Sequence, residues 1–126
     1  MDEKRMRALA KRFFDAVEAG DIEAVGAIYA PGAVIWHNTD GLETGREANL
    51  ETLRGFTRLI GERRYTNRRV QVSESGFAQQ HVLTGVRRDG ANVSLAACIV
   101  CEVNDGQITR LDEYFDSAAL AAFVGR

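Results

Sequence analysis

Two histidines, His37 and His81, are the side chains of this sequence best suited to moving protons near neutral pH. His37 lies in the triplet Trp36-His37-Asn38, which ends a short apolar run that follows the only proline. An unperturbed imidazole titrates at about pH 6.5, so it needs little tuning to act as an acid or a base. The triplet therefore predicts a functional site at a strand end, although an ordinary histidine with a hydrogen-bond partner explains the pattern about as well.

The second histidine lies in a segment where polar and apolar residues share a face. Successive residues of a strand point to opposite sides. One face of the segment 77–85 therefore carries Phe77, Gln79, His81 and Leu83. That mixture suits the wall of a cavity better than a sealed core, so we expect Gln79 and Leu83 to contact a ligand.

A glutamate in the last strand-like segment has similar surroundings. Leu111, Glu113 and Phe115 share a face, so the carboxyl group lies between apolar neighbours. Burial there favours the neutral acid and makes Glu113 suitable for proton transfer near neutral pH. An exposed strand residue is the plainer alternative. We predict that Glu113, His37 and His81 form one acid–base site.

Metal binding and disulfide formation are two other chemistries that these residue types allow. Two histidines and a carboxylate can hold iron, but their spacing here matches no recognised ligand motif. We therefore expect no metal ion and no other cofactor. Cys98 and Cys101 lie in one strand-like segment, point to opposite faces and are about 10 Å apart, too far for a disulfide.

The N-terminal part of the chain is predicted to be helical, because apolar residues recur there at steps of three and four. The first helix ends at Gly20. Asp21 can cap a second helix, which carries Tyr29 inward and ends at Pro31 because proline cannot continue the hydrogen-bond ladder. A strand over 33–38 is expected to follow at once.

A third helix is predicted over 45–60, with Thr44 as its cap. Glu47, three residues later, completes a capping box. The apolar stripe of this helix includes Phe56. After Gly61 the pattern changes to period two, which is typical of strands.

Four strands and a short last helix are predicted in the remainder. The strand segments are 65–74, 77–87, 91–103 and 107–115. The Asp-Gly pairs at 89–90 and 105–106 indicate hairpins, and Asp116 can cap the final helix. Helices followed by an antiparallel meander indicate an α+β fold, in which three N-terminal helices on a curved antiparallel or mixed sheet enclose a cone-shaped cavity.

The composition suits a single domain over residues 1–126. The chain has 126 residues, 45% of them hydrophobic, and 16 basic against 18 acidic side chains give a net charge of −2. This balance gives no reason to expect nucleic acid or an anionic membrane as a partner. No apolar run approaches the roughly 20 residues of a membrane span, and the charged start does not resemble a signal peptide, so we expect a cytoplasmic protein.

Three stretches resemble the NTF2-like superfamily, which includes ketosteroid isomerases, limonene-epoxide-hydrolase-like enzymes and SnoaL-like polyketide cyclases. They are residues 13–21, residues 30–38, and residues 105–108 continuing to 113–116. The resemblance implies the cone-shaped fold, catalysis without a cofactor and a homodimer. It says little about the reaction, because unrelated functions share this fold.

The ketosteroid isomerase pattern is replaced at all three of its functional positions. The resemblance would put the proton-shuttling aspartate at His37 and the oxyanion tyrosine at Phe13. The oxyanion aspartic acid would fall near Cys98 or Ile99. The chain is therefore not an orthodox ketosteroid isomerase, although a histidine base at position 37 could do related chemistry.

The limonene-epoxide-hydrolase pattern is kept only in part. Its tyrosine and water-holding asparagine match Trp36 and Asn38. Its arginine and aspartate match Gln79 and His81, and its second aspartate matches Glu113. The missing arginine makes epoxide opening doubtful, and the SnoaL-like proteins resemble the chain most.

These observations predict a cofactor-independent acid–base enzyme that acts on a small, largely apolar organic molecule. His37, His81 and Glu113 are the predicted catalytic residues. The residues expected to contact the ligand are Phe13, Tyr29, Trp36, Asn38, Phe56, Gln79, Leu83, Leu111 and Phe115. The alternative is a non-catalytic module of the same fold that binds a small ligand or supports assembly.

Overall fold

Four helices and six strands make up the structure, a computed structural model that describes residues 1–126. The helices are α1 (Glu3–Ala19), α2 (Ile22–Ile28), α3 (Arg46–Leu59) and α4 (Ser117–Val124). The strands are β1 (Tyr29–His37), β2 (Glu43–Gly45), β3 (Ile60–Val72), β4 (Gly76–Arg87), β5 (Asn92–Asn104) and β6 (Gln107–Tyr114). No helix has the length and apolar character that crossing a membrane requires.

Aspartates cap three of the four helices. Asp2, Asp21 and Asp116 each accept a hydrogen bond from a backbone N–H in the first turn of α1, α2 and α4. Such caps satisfy donors that have no partner within the helix. Gly20 ends α1 in the left-handed conformation, with φ of 73°. The predicted caps at residues 21 and 116 and the stop at Gly20 are confirmed.

The predicted cap of the third helix is wrong. Gly45 occupies the N-cap of α3, and no side chain caps this helix. Thr44 instead belongs to the short strand β2, where it lies opposite Ile35. Its hydroxyl donates to the backbone oxygen of Ile35 at 3.4 Å, so it is not available to the helix.

The second helix is shorter than predicted. It ends at Ile28, and Tyr29 begins β1 instead of completing the helix. Pro31 lies inside the strand, in a stretch where the pairing with β6 shifts between Tyr29 and Val34. Proline lacks an N–H to donate, so an irregular stretch of strand tolerates it.

One mixed sheet contains all six strands, in the order β2-β1-β6-β5-β4-β3. The strands β3 to β6 form the predicted antiparallel meander. β1 pairs with β6 in parallel, which joins the first strand to the last. Cys101 is buried, Cys98 is half-buried, and both thiols are free.

The core lies between the helices and the concave face of this sheet. Its larger cluster joins α1 to β4, β5 and β6, and a smaller cluster joins α4 to Ile60, Leu83 and Leu95. Burial of these side chains supplies the main driving force for folding. The α+β cone predicted from the sequence is confirmed.

Candidate active site

The candidate site is built on one row of paired residues across the concave face. His37 of β1 lies directly opposite Glu113 of β6. Glu113 lies opposite Ile99 of β5, and Ile99 lies opposite Gln79 of β4. Neighbouring strands are about 4.8 Å apart, so this row brings His37 next to Glu113 and places Gln79 two strands beyond Glu113. His81 follows Gln79 by two residues and faces the same side.

His37 and Glu113 form a hydrogen-bonded pair. The Nε2 atom of His37 lies 3.1 Å from the Oε1 atom of Glu113, and the two side chains are 25% and 20% exposed. The ring of Phe115 stacks on the imidazole with centroids 6.0 Å apart. The hydrogen bond to Glu113 raises the pKa of His37 above its usual 6.5, against the opposing effect of partial burial, and the charges of Glu113 and Asp40 act in the same direction as the bond.

Gln79 and His81 form a second polar pair, which is buried. They are only 1% and 4% exposed, and Gln79 Nε2 lies 3.0 Å from His81 Nδ1. Burial lowers the pKa of His81 to about 4. His81 is therefore neutral at pH 7, and a neutral imidazole can position a polar group but is a poor source of a proton.

Two atoms of this buried pair have no hydrogen-bond partner. They are Gln79 Oε1 and His81 Nε2. An unpaired buried polar atom destabilises a fold, so native proteins contain few of them. Each such atom in a native protein therefore needs an explanation, and a functional role is one of them.

Tyr65 belongs to the site, although the sequence pattern did not indicate it. Its ring packs edge-on against His81 and Phe14, with centroids 4.6 Å and 5.0 Å away. Burial raises the pKa of its phenol, and the charge of Glu113 adds to this effect. Tyr65 lies opposite Leu83 in the sheet, a pairing that no local pattern reveals.

A second interaction that the sequence did not indicate fixes Tyr29. The phenol of Tyr29 donates to Asn49 Oδ1 of α3 at 2.8 Å, and both residues are buried. Burial raises the pKa of this phenol well above its usual value. This hydrogen bond ties the start of β1 to α3.

Trp36 and Asn38, predicted to contact the ligand, do not face the same side as His37. Strand alternation turns Trp36 to the outer face, where its ring meets that of Tyr114 at 5.3 Å. The side-chain amide of Asn38 donates to the backbone oxygen of Phe115 at 3.1 Å and accepts from its N–H at 3.0 Å. The structure therefore assigns Asn38 to holding β1 against the end of β6.

The other predicted contact residues belong to the two core clusters. Phe13, Tyr29 and Leu111 lie in the larger cluster, and Leu83, Phe56 and Phe115 lie in or against the smaller one. Four surface depressions are not lined by His37, Glu113 or Gln79, but His81 lines one of them together with Gln80 and Cys98. None of these four depressions is the predicted apolar cavity.

No three His, Cys, Asp or Glu side chains come close enough together to hold a metal ion. His37 and Glu113 contact each other, whereas His81 bonds to Gln79. The two histidines thus belong to two separate pairs, His37–Glu113 and Gln79–His81, instead of one ligand set.

Comparison with known proteins gives a family match and several similar folds. A family model described as the SnoaL-like domain matches residues 10–111. A search of curated proteins gave no match. One similar structure is a candidate polyketide cyclase from Xanthomonas campestris pv. campestris, with 22% identity over 97% of this chain and 98% of that one, and a TM-score of 0.86.

Two further structures share the fold. An LEH-like epoxide hydrolase from M. tuberculosis is 21% identical over 95% of this chain and 88% of that one, with a TM-score of 0.75. A protein from Catenulispora acidiphila with a ketosteroid isomerase-like fold, solved with trimethylamine, is 15% identical over 93% and 92%, with a TM-score of 0.80. At these identities the likeness concerns the fold alone.

Proposed function

Because the chain belongs to the SnoaL-like domain family, we propose that it is an acid–base enzyme that transfers protons on a small, largely apolar organic molecule without a cofactor. The observation that carries the proposal is the hydrogen bond between His37 Nε2 and Glu113 Oε1, at 3.1 Å on a partly exposed part of the concave face. Proteins of similar fold are named as a cyclase and an epoxide hydrolase, which is consistent with this class of chemistry.

Glu113 fixes the orientation and the tautomer of His37. In this proposal its carboxylate accepts the Nε2–H, which leaves Nδ1 as the basic atom of the neutral imidazole. Nδ1 takes a proton from a carbon or from a water molecule, and the carboxylate stabilises the imidazolium that results. The same proton then returns to another atom of the substrate, so the chemistry balances without an external reactant.

Isomerisation, cyclisation, dehydration and hydration all fit such a proton-transfer couple. Phe115 provides an apolar surface beside the imidazole, which suits a substrate with an apolar body. For His81 the sequence leaves two roles open, returning the proton or orienting the partner. Its neutral state at pH 7 makes it a group that orients the substrate in this proposal.

The proposal is tested by exchange of substrate hydrogens with D2O. Ketosteroids, polyketide-like β-dicarbonyl compounds and terpene epoxides are incubated with the protein, and deuterium uptake and products are followed by NMR and mass spectrometry. We expect His37→Ala and Glu113→Gln to lower the rate about 100-fold or more. Asp112→Asn is the matched control, because Asp112 is next to Glu113 in the chain and pairs with Arg110 instead. Unchanged rates in both site variants would refute the assignment.

The outer face of the sheet supports a second candidate, assembly with another copy of the chain. Val100 and Tyr114 are 40% and 44% exposed there, and Trp36 packs beside Tyr114. Large exposed apolar side chains that adjoin one another are typical of interaction surfaces. In this alternative the protein is a non-catalytic module. A ligand bound in the cone raises the melting temperature of the protein, but product forms no faster than in buffer.

A further inference from the structure

The buried pair Gln79–His81 is the part of the molecule whose hydrogen-bonding capacity is least satisfied. Both side chains are more than nine-tenths buried, yet Gln79 Oε1 and His81 Nε2 have no partner. They lie on the concave face with Phe77 and Leu83, between the sheet and α1. Both atoms therefore face the same interior as the His37–Glu113 pair.

The bond between the two side chains fixes what each free atom can do. With the Gln79 amide donating to His81 Nδ1, a neutral imidazole carries its proton on Nε2. The free groups are then one donor, Nε2–H, and one acceptor, Gln79 Oε1. If the amide were turned over, the free imidazole nitrogen would accept and the free amide nitrogen would donate. In both arrangements the pair offers one donor and one acceptor.

The charges around the pair do not favour an anion. Arg68 is the cation that acts on His81, but its guanidinium is already paired with Asp15 at 2.9 Å and Glu18 at 3.0 Å. The negative charge of Glu113 also acts on His81. A buried anion would thus have neither a free cation nor two donors to hold it.

The walls around His81 are aromatic. The rings of Phe14 and Tyr65 meet the imidazole edge-on, with centroids 5.4 Å and 4.6 Å away. Aromatic walls with few polar atoms favour an apolar ring in the ligand. A hydroxyl group is the simplest ligand group that donates and accepts at one atom.

We propose that Gln79 and His81 form a recognition site for the hydroxyl group of a neutral, ring-containing molecule. This inference rests on the proposed function, because it assigns the substrate class of the same cone. It gives His81 and Gln79 the task of orienting the substrate while the His37–Glu113 pair transfers the proton.

The test compares three probes that share one ring system. 2-Naphthol donates and accepts, 2-methoxynaphthalene only accepts, and 2-naphthoate is an anion. Binding is measured by fluorescence, and the His81 imidazole is followed by ¹⁵N NMR. We expect 2-naphthol to bind about tenfold more tightly than either other probe, in line with one buried hydrogen bond, and to shift the His81 signals.

A matched pair of variants locates the effect. Gln79→Met should remove the preference for 2-naphthol, whereas Gln80→Met should keep it, because Gln80 is exposed on the other face of the same strand. If Gln79→Met does not fold, the probe preference and the His81 signals of the unmodified protein still decide. Equal binding of all probes, preference for 2-naphthoate, no binding of 2-naphthol, or unchanged His81 signals would each overturn the proposal.

The result of this binding test can be distinguished from the result of the exchange test of the proposed function. His37→Ala should keep the preference for 2-naphthol, because His37 does not contact the Gln79–His81 pair. A retained preference in a protein that exchanges no substrate hydrogen would contradict the acid–base proposal alone. Rapid exchange by a protein that shows no preference would contradict the hydroxyl-recognition proposal alone.

Discussion

Three adjacent residues that stand out in the sequence have three different tasks in the structure. Trp36 lies on the outer face, and Asn38 binds the backbone of Phe115. Only His37 turns toward the concave face, where it meets Glu113. Residue type identified the group that can titrate, but its partner lies far along the chain and only the sheet pairing brings the two together.

The two histidines differ because their surroundings differ. A carboxylate partner raises the pKa of His37, whereas burial without a charged partner lowers that of His81 to about 4. Environments that push two titratable groups apart in this way separate their roles. His37 can gain and lose a proton near neutral pH, and His81 stays neutral.

Replacing His81 is predicted to change how the protein responds to acid. The folded pKa of about 4 lies below the unfolded value of 6.5, so the unfolded state binds the proton more tightly. The resulting stabilisation is present above pH 6.5 and is lost as the pH falls toward 4. Between pH 7 and pH 4.5 we expect this group to lower the free energy of unfolding by about 2–3 kcal/mol.

Urea unfolding at these two pH values, compared between the natural chain and His81→Phe, measures that term. The phenyl ring suits the aromatic surroundings of residue 81, and the remaining titratable groups are common to both proteins. The variant should lose less free energy of unfolding on acidification. An equal loss in both proteins would show that His81 is not buried in its neutral form.

Arg63 joins α1, α3 and β3 through hydrogen bonds. Its guanidinium donates to the backbone oxygens of Val17 and Glu18 at the end of α1, at 3.3 Å and 3.2 Å. It also donates to Thr57 at 3.0 Å and to Ile60, where α3 passes into β3. One side chain thus donates hydrogen bonds to carbonyl groups at the ends of two helices, where such groups lack part of their partners within the helix.

Arg63→Met is predicted to lower the free energy of unfolding by about 2–4 kcal/mol, because several charge-assisted hydrogen bonds are lost together. Arg64→Met is the matched control, since Arg64 is exposed and donates only to the backbone of its neighbour. Chemical denaturation measures both. Equal effects of the two substitutions would contradict the anchoring role.

Replacing Asn38 tests whether its side chain holds the end of β1 or takes part in proton transfer. Its two hydrogen bonds to Phe115 continue the pairing of β1 with β6 beyond the last strand residues. Asn38→Ala should cost about 1–2 kcal/mol of stability and reduce deuterium exchange far less than His37→Ala. A loss of exchange as large as that of His37→Ala, with stability unchanged, would point to a catalytic amide.

The outer face of the sheet is the predicted interface of a homodimer. A homodimer through Trp36, Val100 and Tyr114 is expected to give a sedimentation mass of two chains. Tyr114→Arg should shift the protein to a single chain, because burying an unpaired charge is unfavourable. Leu42→Arg is the control, since Leu42 is 61% exposed on a loop. A one-chain mass for the natural protein would contradict the dimer.

Local patterns predicted most of the architecture. Apolar periodicity gave the helices and strands, and aspartates and Asp-Gly pairs marked their ends. The errors at Thr44 and Tyr29 have one cause, because each residue is held in a strand by a partner that no neighbouring residue reveals. The parallel pairing of β1 with β6 is equally non-local, and it creates the His37–Glu113 contact.

The sequence indicated the candidate site residues by their type and by the strand face they share, but it did not indicate which of them contact one another. Alternation correctly placed Gln79, His81 and Glu113 on the concave side. It could not show that His81 bonds to Gln79, nor that Tyr65 from another strand covers it. Such contacts depend on register across several strands, and register is a property of the assembled sheet.

The central claim is that His37 and Glu113 act as one acid–base couple, and an NMR titration of the His37 imidazole tests it most directly. In the natural protein we predict a His37 pKa above 6.5, because the carboxylate stabilises the imidazolium. In Glu113→Gln the pKa should fall, while in Asp112→Asn it should stay near the natural value. A His37 pKa that is the same in all three proteins would contradict the account.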